Sequence, residues 1–305
     1  MRNSPYVLIV LALSGCTAIT PTSTSLPAPD KSTRASAESP STGTQSTLLY
    51  ITGSGNSRLK SYDLATLSPV RNLRVWDLPA GLCVDAKGAI FVADTNRFEI
   101  VKFRHGGRKP TEKLPDPGFY PQTCAIDPTS GDLAVTNGRI WSGTGNVVIF
   151  RHARGEAKAY TIPTLTAYRS CAYDSSGNLM LDGSNGSQAA FAMLPHGKTK
   201  LESLTIDQQI PYANGIQWDG SHWAIGSRST IYQVDVSGKS GTVVGTTTLY
   251  ESDAIAQFSI YQGRIIAPEE TSGQVQIFNY PAGGTAIATI QGFDIPVGTG
   301  VSPAH

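Results

Sequence analysis

The chain has little charge, and what it has is balanced. Lys, Arg, Asp and Glu make up 15% of the 305 residues, and the net charge is +1. No field of one sign draws such a surface to nucleic acid or to acidic partners. CxxC pairs are absent, as are an HxxxH or Cys/His spacing for zinc and a G-x-S-x-G elbow for a serine nucleophile. The five histidines, His105, His152, His196, His222 and His305, are scattered and share no ligand spacing. The apolar run at residues 6–13 (YVLIVLAL) is too short to cross a bilayer as a stable helix. Glycine is plentiful, at 31 residues. With charge this sparse, that suits strands and turns better than helices.

What is present is a repeat. Residues 78–103, LPAGLCVDAKGAIFVADTNRFEIVKF, read as three strands with period-two alternation, at 81–85, 89–93 and 99–103. The turn between the first two has a mechanism. Asp85 accepts the backbone N–H two residues on, and Gly88 takes the left-handed conformation. First strands of the same kind recur as AGLCVD (80–85), QTCAID (122–127), RSCAYD (169–174), NGIQWD (214–219), AQFSIY (256–261) and VGTGVS (297–302), spaced 41 to 47 residues apart. Second strands follow as AIFVA, DLAVT, NLMLD, HWAIG and RIIAP. Third strands are EIVKF, NVVIF, QAAFA, TIYQV and QVQIF, and fourth strands fall at 157–162, 243–250 and 285–290. The spacing is that of a four-stranded propeller blade. The opening strands at 48–52, 58–63 and 72–75 form a blade lacking its first strand, and the C-terminus is a first strand lacking its blade. The expected fold is all-β: a six-bladed β-propeller of four-stranded blades over residues 47–305. Its ring is closed by the C-terminal strand joining the first N-terminal blade, which removes exposed sheet edges.

The repeat G-[LV]-x-V-D-x-x-G-x-[IL]-[FY]-V-[AT]-D resembles the NHL-repeat and gluconolactonase/regucalcin-like six-bladed propellers, over residues 48–303. The resemblance implies the fold. It leaves function open, because lactonases, lyases, receptors and scaffolds share this architecture. In the gluconolactonase-like enzymes a divalent metal at the channel mouth takes carboxylate and amide ligands from first strands. The equivalent ring here reads Val297, Ala80, Gln122, Arg169, Asn214 and Ala256. Asn214 matches the family's Asn-Gly ligand. Val297 stands where the family has glutamate and Ala256 where it has aspartate, and Arg169 adds a positive charge to the ring. A hard cation needs several oxygen ligands, usually with at least two carboxylates, so no metal and no cofactor is expected. Arg169, Gln122 and Asn214 remain, with Tyr120, Tyr168 and Tyr212 just before them in sequence. A guanidinium flanked by amides and phenols suits a small carboxylate, phosphate or sugar. Asp94 and Asp182, at the ends of second strands where they could face the mouth, read rather as loop caps, and Glu269-Glu270, an acidic pair able to bind a cation, reads rather as a solvated loop. Residues 53–56 and 143–146 are glycine-rich, but no helix follows to aim its N-terminus at a phosphate.

Before the propeller, Arg2 and the apolar run lead to Leu13, Ser14, Gly15 and Cys16, which resembles the bacterial lipobox. That implies cleavage before Cys16 and a diacylglycerol on its sulfur. Thr17 after it resembles the outer-membrane sorting choice of enteric bacteria. Residues 1–15 are then a signal peptide. Residues 16–46 are a lipidated cysteine and a Ser/Thr/Pro tether too polar to offset its chain entropy. Cys83, Cys124 and Cys171 fall on first strands and are expected as buried free thiols, with a disulfide the alternative in an oxidising envelope. The functional expectation is a membrane-tethered, non-enzymatic binding or protein-interaction module of the cell envelope. Its partners are the lipid bilayer through acylated Cys16 and either a small anionic or polyol ligand or a protein. The alternative is a hydrolase or lyase of the gluconolactonase type acting at the mouth.

Overall fold

The structure, a computed structural model, describes residues 46–74, 77–118, 120–138, 144–252 and 255–304. The expected signal peptide, Cys16, nearly all of the tether, Gly143 and His305 lie outside them. Strands dominate. The first sheet holds β1 (Leu48–Gly53), β2 (Arg58–Asp63) and β3 (Pro69–Arg74). The next is β4 (Pro79–Val84), β5 (Ile90–Asp94), β6 (Glu99–Phe103) and β7 (Glu112–Pro115). A third is β8 (Pro121–Ile126), β9 (Leu133–Asn137), β10 (Asn146–Phe150) and β11 (Ala157–Tyr160). Then come β12 (Ala167–Tyr173), β13 (Leu179–Asn185), β14 (Gln188–Leu194) and β15 (Glu202–Ile206), followed by β16 (Ala213–Trp218), β17 (Trp223–Ser227), β18 (Thr230–Ser237) and β19 (Ser240–Thr248). The chain ends with β20 (Ser259–Tyr261), β21 (Arg264–Glu269), β22 (Gln274–Asn279), β23 (Ala288–Ile290) and β24 (Pro296–Ser302). Among the described residues the only helical turns are two short 3-10 stretches, Thr95–Arg97 and Arg151–Ala153.

β24 joins the first sheet by antiparallel pairing with β1, from Leu48 opposite Ser302 to Gly53 opposite Pro296. The inner strands touch in a closed cycle: β24 to β4, β8, β12, β16, β20 and back to β24. Sheets arranged in this way around an axis make a β-propeller. One departure from the sequence expectation is the sheet count. Four sheets have four strands, and one has eight, in the order β12-β13-β14-β15-β19-β18-β17-β16. The junction is small. After Leu204 the outer strand β15 leaves β14, and Thr205 and Ile206 run parallel to Ser240 and Gly241. Gly241 permits this approach, since a Cβ there would lie 3.2 Å from the Ile206 side chain.

Period-two alternation places successive side chains in different cores. In β5, Ile90 and Val92 pack toward Leu48, Tyr50 and Leu59 of the first sheet. Phe91 and Ala93 pack the other way, toward Cys124, Leu133 and Val135 of the third. β1 splits likewise, with Leu48 and Tyr50 in one core and Leu49 and Ile51 in another. Each fully buried Val, Ile or Phe contributes about 1.5–3 kcal/mol, so inner and middle strands stabilise both of their neighbours. The predicted turns are present. The Asp85 carboxylate accepts from the Lys87 and Ala89 N–H groups at 2.9 and 2.8 Å, and Gly88 sits at φ 75°. Asp174 repeats the pattern with Ser176, Asn178 and Gly177.

The cysteine expectation is corrected. Cys83 and Cys124 form a disulfide, while Cys171 is free and buried. Strand phase explains the difference. Cys83 lies two residues before its turn Asp85, whereas Cys124 and Cys171 each lie three before theirs, Asp127 and Asp174. The two phases face opposite ways, so Cys83 on β4 looks forward and Cys124 on β8 looks back at it. Cys171 also looks back and shares a core with Ala125 of β8, which offers no sulfur.

Candidate functional site

Each inner strand is irregular at its start. The pairing slips between Pro79 and Leu82, between Pro121 and Thr123, between Tyr168 and Ser170, and between Ala213 and Ile216. In β24 it slips opposite Thr52 and Gly53, skipping Val297. Ahead of β20, only isolated bridges hold residues 255–257. A bulge leaves one residue unpaired and re-aims its side chain. The residues at these slips are Ala80, Gln122, Arg169, Asn214, Ala256 and Val297. All of them line one cavity of about 260 Å³ at this end of the channel, together with Gly81, Thr123, Gln257 and Glu270.

Side chains on the neighbouring second strands, or directly after them, hold the bulges open. Thr52 Oγ1 donates to the Ala80 carbonyl at 2.5 Å, Thr95 Oγ1 to Pro121 at 2.7 Å and Thr136 Oγ1 to Arg169 at 2.9 Å. Asp182 is fully buried. Its carboxylate accepts from the Ser170 N–H at 2.7 Å and, on the next inner strand, from the Gly215 N–H at 3.1 Å. Burial pushes its pKa up, and the hydrogen bonds and the nearby Arg169 charge oppose that. Asp182 therefore braces the mouth from below. Asp94 is equally buried and accepts from the Leu78 N–H at 3.4 Å. Asp94 caps a loop, as expected; Asp182 does not, since it lies in the middle of β13 and ties together two inner strands.

Gln257 divides the channel. Its carboxamide accepts from the Leu82 N–H at 2.7 Å and donates to the Leu82 carbonyl at 2.6 Å. Gly81 and Gly298 make room, because a Cβ on either would lie under 3 Å from Gln257 Oε1. Below this bar a second cavity of about 410 Å³ opens between the inner strands, with Tyr173, Trp218 and Tyr261 on its wall.

Among the predicted residues, Arg169, Gln122 and Asn214 share the mouth. Arg169 is exposed, and among the described residues its guanidinium makes one long contact, 3.5 Å, to the Ala213 carbonyl. Asn214 donates to the Ile255 carbonyl at 3.5 Å. Tyr168 does not belong there. It lies one residue before the bulge, faces the core with 1% of its surface exposed, and its hydroxyl accepts from the Ile162 N–H at 2.8 Å. Tyr212 is exposed near the start of β16 and lies under the Arg228 guanidinium at 4.4 Å, outside the cavity wall. Tyr120, also exposed, holds φ 75° ahead of β8.

Glu269 and Glu270 differ from the solvated pair that was expected. Glu269 is buried and takes a hydrogen bond from the Ser252 hydroxyl. Glu270 lines the mouth, where burial, helped by the Glu269 charge, raises its pKa. Among the described residues no group of three or more His, Cys, Asp and Glu could hold a metal ion. His105 bonds Ser302, and His152 bonds the Ser130 carbonyl.

Residues 77–103 match the NHL repeat family. No curated protein matches the sequence. Among solved structures, a chain from the crystal structure of a nidogen/laminin complex superposes with a TM-score of 0.70, covering 84% of this chain and 98% of that one at 14% identity. A likeness at that identity is one of fold.

Proposed function

From a β-propeller that carries an NHL repeat, we propose a binding module of the bacterial cell envelope, non-enzymatic and tethered to the membrane through lipidated Cys16. The eight-stranded sheet is counted in this reading as two blades in contact at their outer strands, giving a six-bladed ring. The mouth receives a small anionic or polyol ligand, or the corresponding groups of a protein partner. The observation that carries this is the convergence of Arg169, Gln122 and Asn214 on one cavity, on bulges that release their side chains from packing. The solved neighbour comes from a protein complex, which supports a protein partner as one form of the ligand. A second reading, a gluconolactonase-type hydrolase or lyase, has one observation in its favour: Glu270 gives the cavity that Asn214 lines a carboxylate. One carboxylate sharing a cavity with a guanidinium is a poor cage for a hard cation.

Calorimetry with a panel of sugar acids, calcium and zinc separates the readings. A charge-assisted bidentate contact contributes roughly 1.5–3 kcal/mol. Arg169→Ala should therefore weaken anion binding by about ten- to a hundredfold. Gln122→Ala and Asn214→Ala should each cost less. Tight metal binding that is lost in Asn214→Ala and improved in Arg169→Ala would replace the binding-module reading with the enzyme. The tether has its own test: Cys16→Ser should move the chain out of the detergent phase, and unchanged partition would refute lipidation there.

A further inference from the structure

The mouth is asymmetric in a way the repeat does not require. Around the cycle of inner strands, Gln122, Arg169 and Asn214 occupy three consecutive positions, on β8, β12 and β16. Ala256, Val297 and Ala80 occupy the other three. The polar arc carries the positive charge. On the apolar arc, where Ala256 leaves space, the wall is completed by Glu270 from the end of β21, the strand that bridges to Ile255. One cavity of about 260 Å³ thus has a guanidinium and a carboxylate on its wall, with the Asn214 position between their strands. Among the described residues no ion pair joins the two.

We propose that the mouth is built for a small zwitterion, with its carboxylate on Arg169 and its ammonium on Glu270. The inference rests on the reading of the mouth as a binding site and names the ligand class. A simple anion answers Arg169 and leaves Glu270 unpaired, and a neutral polyol leaves both charges without an opposite partner. A molecule bearing both charges answers each wall. Glu270 behaves as a carboxylate short of a cation, since burial and the Glu269 charge disfavour its ionised form. A bound ammonium reverses that. The cavity lies below the range of roughly 300–1,000 Å³ typical of drug-sized sites, so the ligand is on the scale of a single amino acid. The amides of Gln122 and Asn214 supply neutral donors and acceptors beside the carboxylate.

The test is calorimetry on the full chain in detergent at neutral pH, with three probes: L-alanine, N-acetyl-L-alanine, which lacks the ammonium, and L-alaninamide, which lacks the carboxylate. L-alanine should bind about tenfold or more tighter than either blocked form. Arg169→Ala should weaken L-alanine and N-acetyl-L-alanine alike, with little change for L-alaninamide. Glu270→Gln, a nearly isosteric change checked by an unchanged melt, should cost L-alanine about tenfold and leave N-acetyl-L-alanine as tight or tighter. If N-acetyl-L-alanine binds as well as L-alanine and depends on Arg169, the zwitterion inference is overturned while the anion-binding mouth survives. Silence from all three probes also overturns it, and the sugar-acid panel then judges the mouth separately. Binding of L-alanine or N-acetyl-L-alanine that is indifferent to Arg169→Ala counts against the mouth itself.

Discussion

Replacing Gln257 with alanine should loosen the propeller at its axis, and the size of the effect follows from two bonds. Gln257 is 6% exposed and Leu82, whose backbone it satisfies, is 1% exposed. The carboxamide fills both hydrogen-bonding needs of that peptide position, one at 2.7 Å and one at 2.6 Å, across 175 residues of chain. Alanine removes both partners at once. Each buried backbone group left without a partner costs about 1–3 kcal/mol. Water entering from the mouth can take over part of the lost bonding, so the expected loss is about 2–4 kcal/mol. Gln257→Glu is the sharper variant. It keeps length and acceptor but, when ionised, cannot donate to the Leu82 carbonyl. Burial raises the folded pKa of the new carboxyl above its unfolded value. Its stability is therefore closest to the parent at low pH, where the protonated acid still donates, and falls as pH rises through the folded pKa. Urea unfolding of parent and both variants between pH 4 and 8 reads these effects. A loss under about 1 kcal/mol for Gln257→Ala, or a Gln257→Glu difference that does not change with pH, would refute the role given to this side chain.

Two further predictions concern stability. The Cys83–Cys124 bond closes a separation of 41 residues, for which loop entropy gives about 4 kcal/mol as an upper figure, so reduction or Cys83→Ala/Cys124→Ala should lower the unfolding free energy by a few kcal/mol. Native protein should meanwhile keep Cys171 closed to maleimide, because burial shields the thiol and raises its pKa. Burial also pushes Asp116 up to about 6 from 3.8, against the hydrogen bonds from the Gly118 N–H and the Asn137 amide. A raised folded pKa means stability that is full below the unfolded value and lost as pH climbs through about 6. Asp116→Asn should consequently narrow the gap between unfolding free energies at pH 4 and pH 7 by up to about 3 kcal/mol, and a parallel pH profile in parent and variant would refute it.

Strand period and turn chemistry were readable because each repeat states them locally. The third strands Glu99–Phe103 and Asn146–Phe150 begin and end where alternation places them. Outer strands were less readable. β11 stops at Tyr160 and β23 begins at Ala288, inside the spans their sequences suggest, because half-exposed strands carry no apolar face to mark their ends. The ring Val297, Ala80, Gln122, Arg169, Asn214 and Ala256 came from laying the family's ligand positions on the aligned first strands, and these six line one cavity because the inner-strand pairing is interrupted at the same place in each repeat. Tyr168 was misplaced by one residue of phase, the distance between channel and core in a strand. The disulfide needed the same information: whether two cysteines face each other depends on phase, which a count of cysteines does not carry. Gln257 did leave a signal. The residues directly after the ring positions are Gly81, Thr123, Ser170, Gly215, Gln257 and Gly298. One long side chain among five small ones marks a group that reaches across the axis.

The bulges also explain why a nearly symmetric ring can carry an asymmetric mouth. A residue within a ladder is judged by its neighbours on both faces, and its replacement costs packing or pairing energy. Ala80, Gln122, Arg169, Asn214, Ala256 and Val297 escape that test, since each falls where the pairing slips and the backbone is secured by other groups, Thr52, Thr95, Thr136 and Asp182 among them. Their side chains can then differ as widely as alanine and arginine without disturbing the sheets. Glu270 enjoys the same freedom by another route, following the last residue of β21 while Glu269 takes the buried place beside Ser252. Charge at this mouth is thus set independently of the fold that supports it. The repeat therefore reports the architecture, and the positions that interrupt its hydrogen bonding set the chemistry of the mouth.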